Sequence, residues 1–333
     1  MIAASADLKI PADGARAAPV VMSTALVRSA LVAGGLAMAL VLVVTEQRLD
    51  ASFLPYFLLA AALAGTAMLG SRRNYPWQVT NLAMIGCFTI LGLLICGIVA
   101  CTGLRLRFPV ADALLAQGDA MIGMNVGEVA RFVAAVPALS SVLDFVYRTT
   151  GPACAAALLW NLVTKNRAHL WQVVATVIVA MQVTAVASIF FPARGSTVFL
   201  GLGALHGAGL PPEAGIYAVA AFEHFYAGDE LLVGMEQLNG TVTFPSFHTV
   251  LALVIVQALA HSPLRWPAVA WGALTIVATV PIGGHYVVDL VGGMLVWIAC
   301  AWLAGGVSRA TNNPDTTLRP TNRAGWRLLR SRA

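Results

Sequence analysis

Apolar windows of roughly 17–24 residues, the length that an α-helix needs to cross a bilayer, recur about eight times along this chain. Their periodicity and length indicate helices rather than strands. The pattern therefore predicts an all-α fold, a polytopic integral membrane helix bundle of about eight transmembrane helices. The predicted spans lie near 27–45, 52–70, 82–103, 142–163, 169–191, 246–261, 267–282 and 286–304.

The positions of the basic residues support this count. If the N-terminus is cytoplasmic, 14 of the 20 Lys and Arg residues fall on the cytoplasmic side and the other 6 (20 − 14) outside. This is the asymmetry that the positive-inside rule describes, and dropping one span would invert every later loop. The charges thus predict a protein of a bacterial-type inner (plasma) membrane with both termini cytoplasmic.

Composition agrees with a membrane location. The 333 residues are 59% hydrophobic and only 11% charged, whereas soluble domains carry about 25% charged residues. The net charge of +5 is not organised into a basic stripe with aromatic residues, so no nucleic-acid partner is expected. The five cysteines lie in apolar stretches without a CxxC pair, which argues against a disulfide framework or a zinc site.

Two external connections are long, about 104–141 and 192–245. In the first, apolar residues alternate with Asp112, Asp119, Glu128 and Arg131 at helical spacing, which predicts an interfacial amphipathic helical segment on the outer leaflet. The second is acidic, and its carboxylates are more often a solvated face than ligands. They are Glu223, Asp229, Glu230 and Glu236.

The candidate chemistry lies in two short stretches, Pro245-Ser246-Phe247-His248 and Gly283-Gly284-His285-Tyr286-Val287-Val288-Asp289. Each stretch begins an apolar segment. A titratable group in such a segment is energetically costly, so its presence there indicates a functional role. His285 and Asp289 are four residues apart, so they share a helix face and the carboxylate can hold one imidazole N–H. This leaves the lone pair of the other ring nitrogen facing the predicted pocket.

The spacing also predicts that these groups meet. His248 and His285 are 285 − 248 = 37 residues apart, which is two crossings joined by a turn, so both return to the outer face. Arg194 ends the fifth span at the same face. A phosphate there would meet Arg194, Ser246, the first helix amides from Phe247 onward, and Gly284, whose small size gives a ligand room.

Further residues could border this predicted pocket, although structural roles are more frequent for such positions. They are Tyr147, Arg148 and His224.

At these motifs the chain resembles the type-2 phosphatidate phosphatase superfamily of membrane lipid phosphate phosphatases. Phe244-Pro245-Ser246-Phe247-His248-Thr249 is similar to the family's second motif, usually Pro-Ser-Gly-His, and 284–289 to the end of its third. The resemblance covers roughly 104–304 and looks nearest to the branch that includes inositolphosphorylceramide synthase.

The resemblance implies a metal-independent, cofactor-free transfer in two steps. His285 would attack phosphorus, Asp289 would orient it, and His248 would protonate the leaving oxygen and then activate the acceptor. The substrate would be a membrane lipid phosphate and the acceptor water or a lipid alcohol. The chain departs from the family at three positions: Ala187 replaces a lysine, Thr279 replaces an arginine, and Phe247 replaces a small residue.

These observations divide the chain into four parts: a disordered cytoplasmic tail (1–25), N-terminal transmembrane helices (26–103), a catalytic phosphatidate phosphatase-like membrane core (104–304) and a disordered basic tail (305–333). Hydrolase and head-group transferase remain open, because water and a lipid hydroxyl can attack the same phosphohistidine. A transporter with a histidine proton relay would need ionisable groups in the middle of spans. A metal site made of His248, His285 and Asp289 would lack a fourth clustered ligand. The oligomeric state is left open.

Overall fold

The computed structural model describes residues 12–310, and the side chains of residues 20–306. Within these residues the only strands are a parallel pair of two residues each, β1 (Arg48–Leu49) and β2 (Leu232–Val233). Everything else that is regular is helical, so the all-α prediction is confirmed. The α-helices are α1 (Ala12–Val44), α2 (Leu54–Arg72), α3 (Trp77–Gly103), α4 (Asp112–Met121), α5 (Val126–Ala134), α6 (Pro137–Arg148), α7 (Thr150–Val163), α8 (Arg167–Phe190), α9 (Ser196–Phe199), α10 (Val219–Ala227), α11 (Phe247–Leu259), α12 (Arg265–Thr279) and α13 (Val287–Ala310).

Five segments of the described chain are long and apolar enough to cross a membrane. They are Val20–Val44, Ala51–Arg72, Trp77–Leu106, Arg167–Phe190 and Val287–Gly306. Helices α5 and α6 would make a sixth if they count as one span, but they are bent against each other by 112°. This establishes a membrane protein. The predicted number of about eight spans is not confirmed, because α7, α11 and α12 have only 14, 13 and 15 residues.

The fourth predicted span, 142–163, is not a continuous helix. Helix α6 ends at Arg148 and α7 begins at Thr150, with Thr149 between them. Pro152 explains the break, because its ring lacks an N–H and would collide with the carbonyl of the residue four positions earlier, Arg148. The apolar pattern could not show this, since it continues through the break.

Helix α8 lies at the centre of the bundle, and 78% of its most apolar window is buried inside the protein. Its polar side chains find partners on α3: the Trp171 indole N–H donates to Asn81 Oδ1 over 2.6 Å, and Gln182 Nε2 donates to the Gly92 carbonyl over 3.2 Å. Such bonds tie neighbouring helices together where no water is present. They also fix the position of the C-terminal end of α8, which leads into the site.

Helices extend into both of the predicted tails. Helix α1 starts at Ala12, so residues 12–25 are helical rather than part of a disordered tail, in keeping with the high helix propensity of their alanines. Helix α13 continues to Ala310, beyond the predicted boundary at 304. The rest of both predicted tails, 1–11 and 311–333, lies outside the described residues.

The first long connection folds into α4 and α5. Helix α4 is amphipathic, but its polar face is buried in the protein and its apolar face is exposed. Asp112 and Asp119 are each 3% exposed, whereas Leu114 and Met121 are 58% and 81% exposed. In a bilayer the surroundings favour apolar side chains, so the carboxylates turn inward where hydrogen-bond donors satisfy them. The interfacial location of this segment remains a prediction.

Candidate active site

The N-terminal ends of α11 and α13 meet beside the segment that follows α8. The Ser246 N–H donates to the Asp289 carbonyl over 3.0 Å, which joins α11 to α13. The Ser196 N–H donates to the Gly284 carbonyl over 2.7 Å, which joins the segment after α8 to the loop before α13. Three stretches far apart in sequence are therefore held together by backbone hydrogen bonds.

His285 lies at this junction and is only 4% exposed. Its Nδ1 is 3.2 Å from Asp289 Oδ2, and the same carboxylate oxygen accepts the Tyr286 N–H over 2.8 Å. With Asp289 ionised, Nδ1 donates the proton, so Nε2 carries the free lone pair. The predicted i, i+4 relation between the two residues is present.

His248 is held by an aromatic stack rather than by an ion pair. Its ring lies 4.0 Å, centroid to centroid, from the ring of Tyr147 at an interplanar angle of 18°. Tyr147 in turn stacks on Tyr217, with centroids 6.1 Å apart. This stack restricts the orientation of the His248 imidazole.

Arg194 follows α8 and is paired with Glu223 of α10. Its Nε donates to Glu223 Oε1 over 2.5 Å, while the Arg194 and Glu223 side chains remain 34% and 43% exposed. The hydrogen bond that Arg194 donates to the Glu223 carboxylate raises the pKa of Arg194 further, so the arginine stays charged. The sequence pattern predicts that Glu223 belongs to a solvated face, whereas the structure pairs it with the arginine of the site.

One cavity of about 590 Å³ brings most of the predicted site residues together. Arg194, Phe247, His248, Gly284 and His285 all line it. Asp289 lies behind His285 and is fully buried. Ser246 is also fully buried and is not a lining residue; its Oγ accepts the Thr249 N–H over 3.4 Å as the N-cap of α11.

Of the residues that could border the pocket, Tyr147 lines the cavity and the other two do not. The Arg148 guanidinium donates hydrogen bonds to Asp144 Oδ1 of its own helix, over 2.8 Å, and to the Tyr217 hydroxyl. His224 lies 3.7 Å from the Glu230 carboxylate.

The backbone at position 284, on the cavity wall, accommodates only glycine. Its φ of +74° is in the left-handed region, and a Cβ there would come within 2.6 Å of the Gly215 Cα. Gly215 has a φ of +70° and donates its N–H to the Ile282 carbonyl over 2.6 Å. The two loops approach backbone to backbone, which only glycine permits without strain.

Two buried aspartates of α4 support the site and were not predicted as site residues. Asp112 accepts the N–H groups of Arg194 (2.9 Å) and Gly195 (3.0 Å) and the hydroxyl of Tyr286 (2.8 Å). Asp119 accepts the first N–H groups of α13, those of Val287 and Val288, over 3.0 and 2.9 Å. Burial nevertheless raises the pKa of the Asp119 carboxyl.

A signal for these aspartates was present in the sequence. Their spacing of 119 − 112 = 7 residues places both carboxylates on one face of α4, two turns apart. Two carboxylates on one face of an otherwise apolar helix in a membrane protein indicate an inward polar face.

Positive charge is scarce at the cavity. Among the described residues that line it, Arg194 is the one Lys or Arg. Thr279, which replaces the family's arginine, is buried and donates its hydroxyl to the Thr275 carbonyl over 2.7 Å. Within the described part of the chain, no group of three or more His, Cys, Asp or Glu side chains could hold a metal ion, and metal independence stays a prediction.

A helical membrane bundle with a histidine–aspartate pair, a second histidine and an arginine at one cavity has the side chains that a membrane enzyme of phosphoryl transfer would need. A family model described as "PAP2 superfamily" matches residues 113–303, and the chain belongs to this superfamily. Its members are typically phosphatase-type enzymes. No curated protein and no solved structure matches the chain.

Proposed function

We propose that the protein is a metal-independent lipid-phosphate phosphatase or phosphotransferase that works through a phosphohistidine. The observation that carries this proposal is the position of His248, His285 and Arg194 on the wall of one cavity. Asp289, hydrogen-bonded to Nδ1, leaves His285 Nε2 as the nucleophile.

The reaction consists of two displacements at phosphorus. In the first, His285 Nε2 forms a bond to phosphorus, the bond from phosphorus to the lipid oxygen breaks, and His248 gives that oxygen a proton. In the second, His248 takes a proton from water or a lipid alcohol, whose oxygen displaces Nε2. Arg194 and the adjacent amides stabilise the negative charge on the phosphoryl oxygens in both steps.

We infer that the site faces the outer side of the membrane. We place the protein in a bacterial-type inner membrane with both termini cytoplasmic and the cavity facing the periplasm, because this arrangement puts 14 of 20 basic residues inside. It requires about eight crossings, with the short helices α7, α11 and α12 counted among them. Reagents that modify engineered cysteines from one side only would test the arrangement.

A head-group transferase, with the inositolphosphorylceramide synthase branch as the nearest resemblance, is the second candidate. The scarcity of positive charge favours it: Arg194 is the one Lys or Arg on the described cavity wall, and Glu223 shares that charge. A phosphodiester carries one negative charge less than a monoester dianion, so it needs less compensation.

The test screens purified protein in detergent with phosphatidic acid and with phosphatidylinositol, each in the presence and absence of a lipid alcohol. Free phosphate indicates a hydrolase and a new phospholipid indicates a transferase. We expect turnover that resists EDTA and is inhibited by vanadate. His285→Ala should abolish turnover, whereas His261→Ala, which removes an exposed histidine away from the cavity, should not. Comparable turnover of wild type and His285→Ala would refute the proposal.

A further inference from the structure

The cavity that holds the two histidines has a second, apolar end. Beyond the polar centre its walls come from α2 and α3, with Tyr56 and Leu59 on α2 and Ile90 and Leu93 on α3. None of these residues belongs to the segment that the family model matches, 113–303. The N-terminal helices therefore contribute directly to the cavity of the site.

A second cavity of about 580 Å³ adjoins this end. It lies between α3, α7, α8 and α11, and no charged side chain lines it. Ile90, Leu93 and Phe247 line both cavities, so the two spaces share a wall. We call the combined apolar space the α3 crevice, defined by the α3 residues from Leu82 to Gly97 that line it.

The dimensions and the opening of the α3 crevice match a hydrocarbon chain. From Leu82 to Gly97 is 97 − 82 = 15 residues, about 22 Å along a helix, most of the roughly 30 Å hydrocarbon thickness of a bilayer. Leu82, Leu93 and Leu159 are 49%, 54% and 45% exposed, so the crevice opens sideways between α3 and α7. A lipid tail can enter there without crossing the polar end.

We propose that the α3 crevice binds a hydrocarbon tail of the lipid phosphate and that the tail contributes to substrate selection. The inference rests on the proposed function, because it assigns the polar end of the same cavity to the phosphate. Continuity with the polar end argues for the substrate's own tail, since a tail in the crevice and a phosphate at His285 can belong to one molecule.

The position of Phe247 supports this assignment. It precedes His248, where the related motif has a small residue, and it lines both the cavity of the two histidines and the second, apolar cavity. A large apolar ring here separates charged head group from hydrocarbon, which a hydrophilic substrate would not require.

The experiment compares long-chain (dioleoyl) and short-chain (dihexanoyl) phosphatidic acid as substrates of the purified protein. Ala155 of α7 lines the crevice at an exposed position, so Ala155→Trp fills the space without displacing core side chains. Ala156→Trp is the matched control, since Ala156 is also exposed and lines neither cavity. We expect Ala155→Trp to lower the kcat/KM of the long-chain substrate relative to that of the short-chain substrate by about tenfold or more. A tenfold change corresponds to about 1.4 kcal/mol. This is less than the contribution of two methylene groups that the tryptophan displaces from the crevice. The control should keep the wild-type ratio.

The outcomes separate the two proposals. If wild type turns over neither substrate, the proposed function fails and this inference fails with it. If wild type turns over both and Ala155→Trp keeps the wild-type ratio, the function stands and the α3 crevice is not a tail site.

A second measurement does not depend on turnover. Phosphatidic acid with a photoreactive group at the end of its tail should crosslink to residues 82–93 and 151–162 of His285→Ala. Excess phosphatidic acid should suppress this crosslink, and excess phosphatidylcholine should not. Equal suppression by both lipids would mean that the crevice holds bulk membrane lipid only, which would overturn the inference.

Discussion

Asp112→Asn is the substitution that tests the architecture of the site most directly. The carboxylate accepts three hydrogen bonds, two from the backbone N–H groups of Arg194 and Gly195 and one from the Tyr286 hydroxyl. It is 3% exposed, so no solvent replaces a lost partner. Asparagine keeps the shape but turns one oxygen into an N–H donor, which then faces another donor.

The magnitude follows from these contacts. A hydrogen bond to a charged group contributes about 1.5–3 kcal/mol, and the donor left unpaired adds a desolvation cost. We therefore expect Asp112→Asn to destabilise the fold by about 2 kcal/mol or more. Tyr286→Phe removes one donor while Asp112 keeps the two backbone donors, so its cost should be smaller, about 1–2 kcal/mol.

The effect on activity should act through the position of Arg194. A displacement of about 1 Å at a group that holds the substrate can cost about 10²-fold in rate, so kcat/KM of Asp112→Asn should fall by about 10–100-fold. Thermal unfolding in detergent measures the stability, and phosphate release from phosphatidic acid measures the activity. Asp229→Asn serves as the control, because Asp229 is 95% exposed in its ion pairs.

A double-mutant cycle separates positioning from a general loss of structure. If Asp112 acts through Arg194, the double variant Asp112→Asn/Arg194→Ala should be no less active than Arg194→Ala alone. If the two losses multiply, or if Asp112→Asn keeps wild-type activity, then Asp112 does not position the arginine.

Two further substitutions address the nucleophile and the cavity wall. Asp289→Asn should lower kcat by about 10³-fold or more while His285 stays in place. This is the scale seen when an aspartate that orients a catalytic histidine is replaced. Phosphate release within about tenfold of wild type would contradict the orienting role. Gly284→Ala should unfold the site loop, because its Cβ would lie 2.6 Å from the Gly215 Cα, and thermal unfolding at the wild-type temperature would contradict this. Gly203→Ala is the control for the second prediction, since a Cβ there meets nothing within 4 Å.

The parts of the site that could be predicted from sequence are those with a fixed local geometry. His285 and Asp289 share a helix face because four residues make about one turn, and the structure places them 3.2 Å apart. Motif spacing also predicts that His248 and Arg194 come to the same face, and both residues line the cavity. Both inferences need only helix geometry and membrane thickness.

The parts that could not be predicted depend on what surrounds a segment. The α4 pattern is amphipathic in water and in lipid alike, and only the surroundings decide whether Asp112 or Leu114 turns inward. The pairing of Arg194 with Glu223 joins residues 29 positions apart through a connection without periodicity. The break at Thr149 follows from Pro152, a local signal within an uninterrupted apolar pattern.

The proposed chemistry and the proposed lipid recognition lie at different ends of the site. His248, His285 and Asp289 lie within the segment that the family model matches, whereas the α3 wall of the crevice lies before it. If the crevice binds the tail as proposed, changes in α3 should alter which tail is bound without moving His285, because α3 supplies none of the hydrogen bonds that hold His285 or Asp289. Changes in α4 act in the opposite way, since Asp112 and Asp119 hold the polar end and do not line the crevice. Substitutions at the two ends should therefore differ in kind: those along α3 change the preference for chain length, and those at α4 lower turnover of all substrates alike.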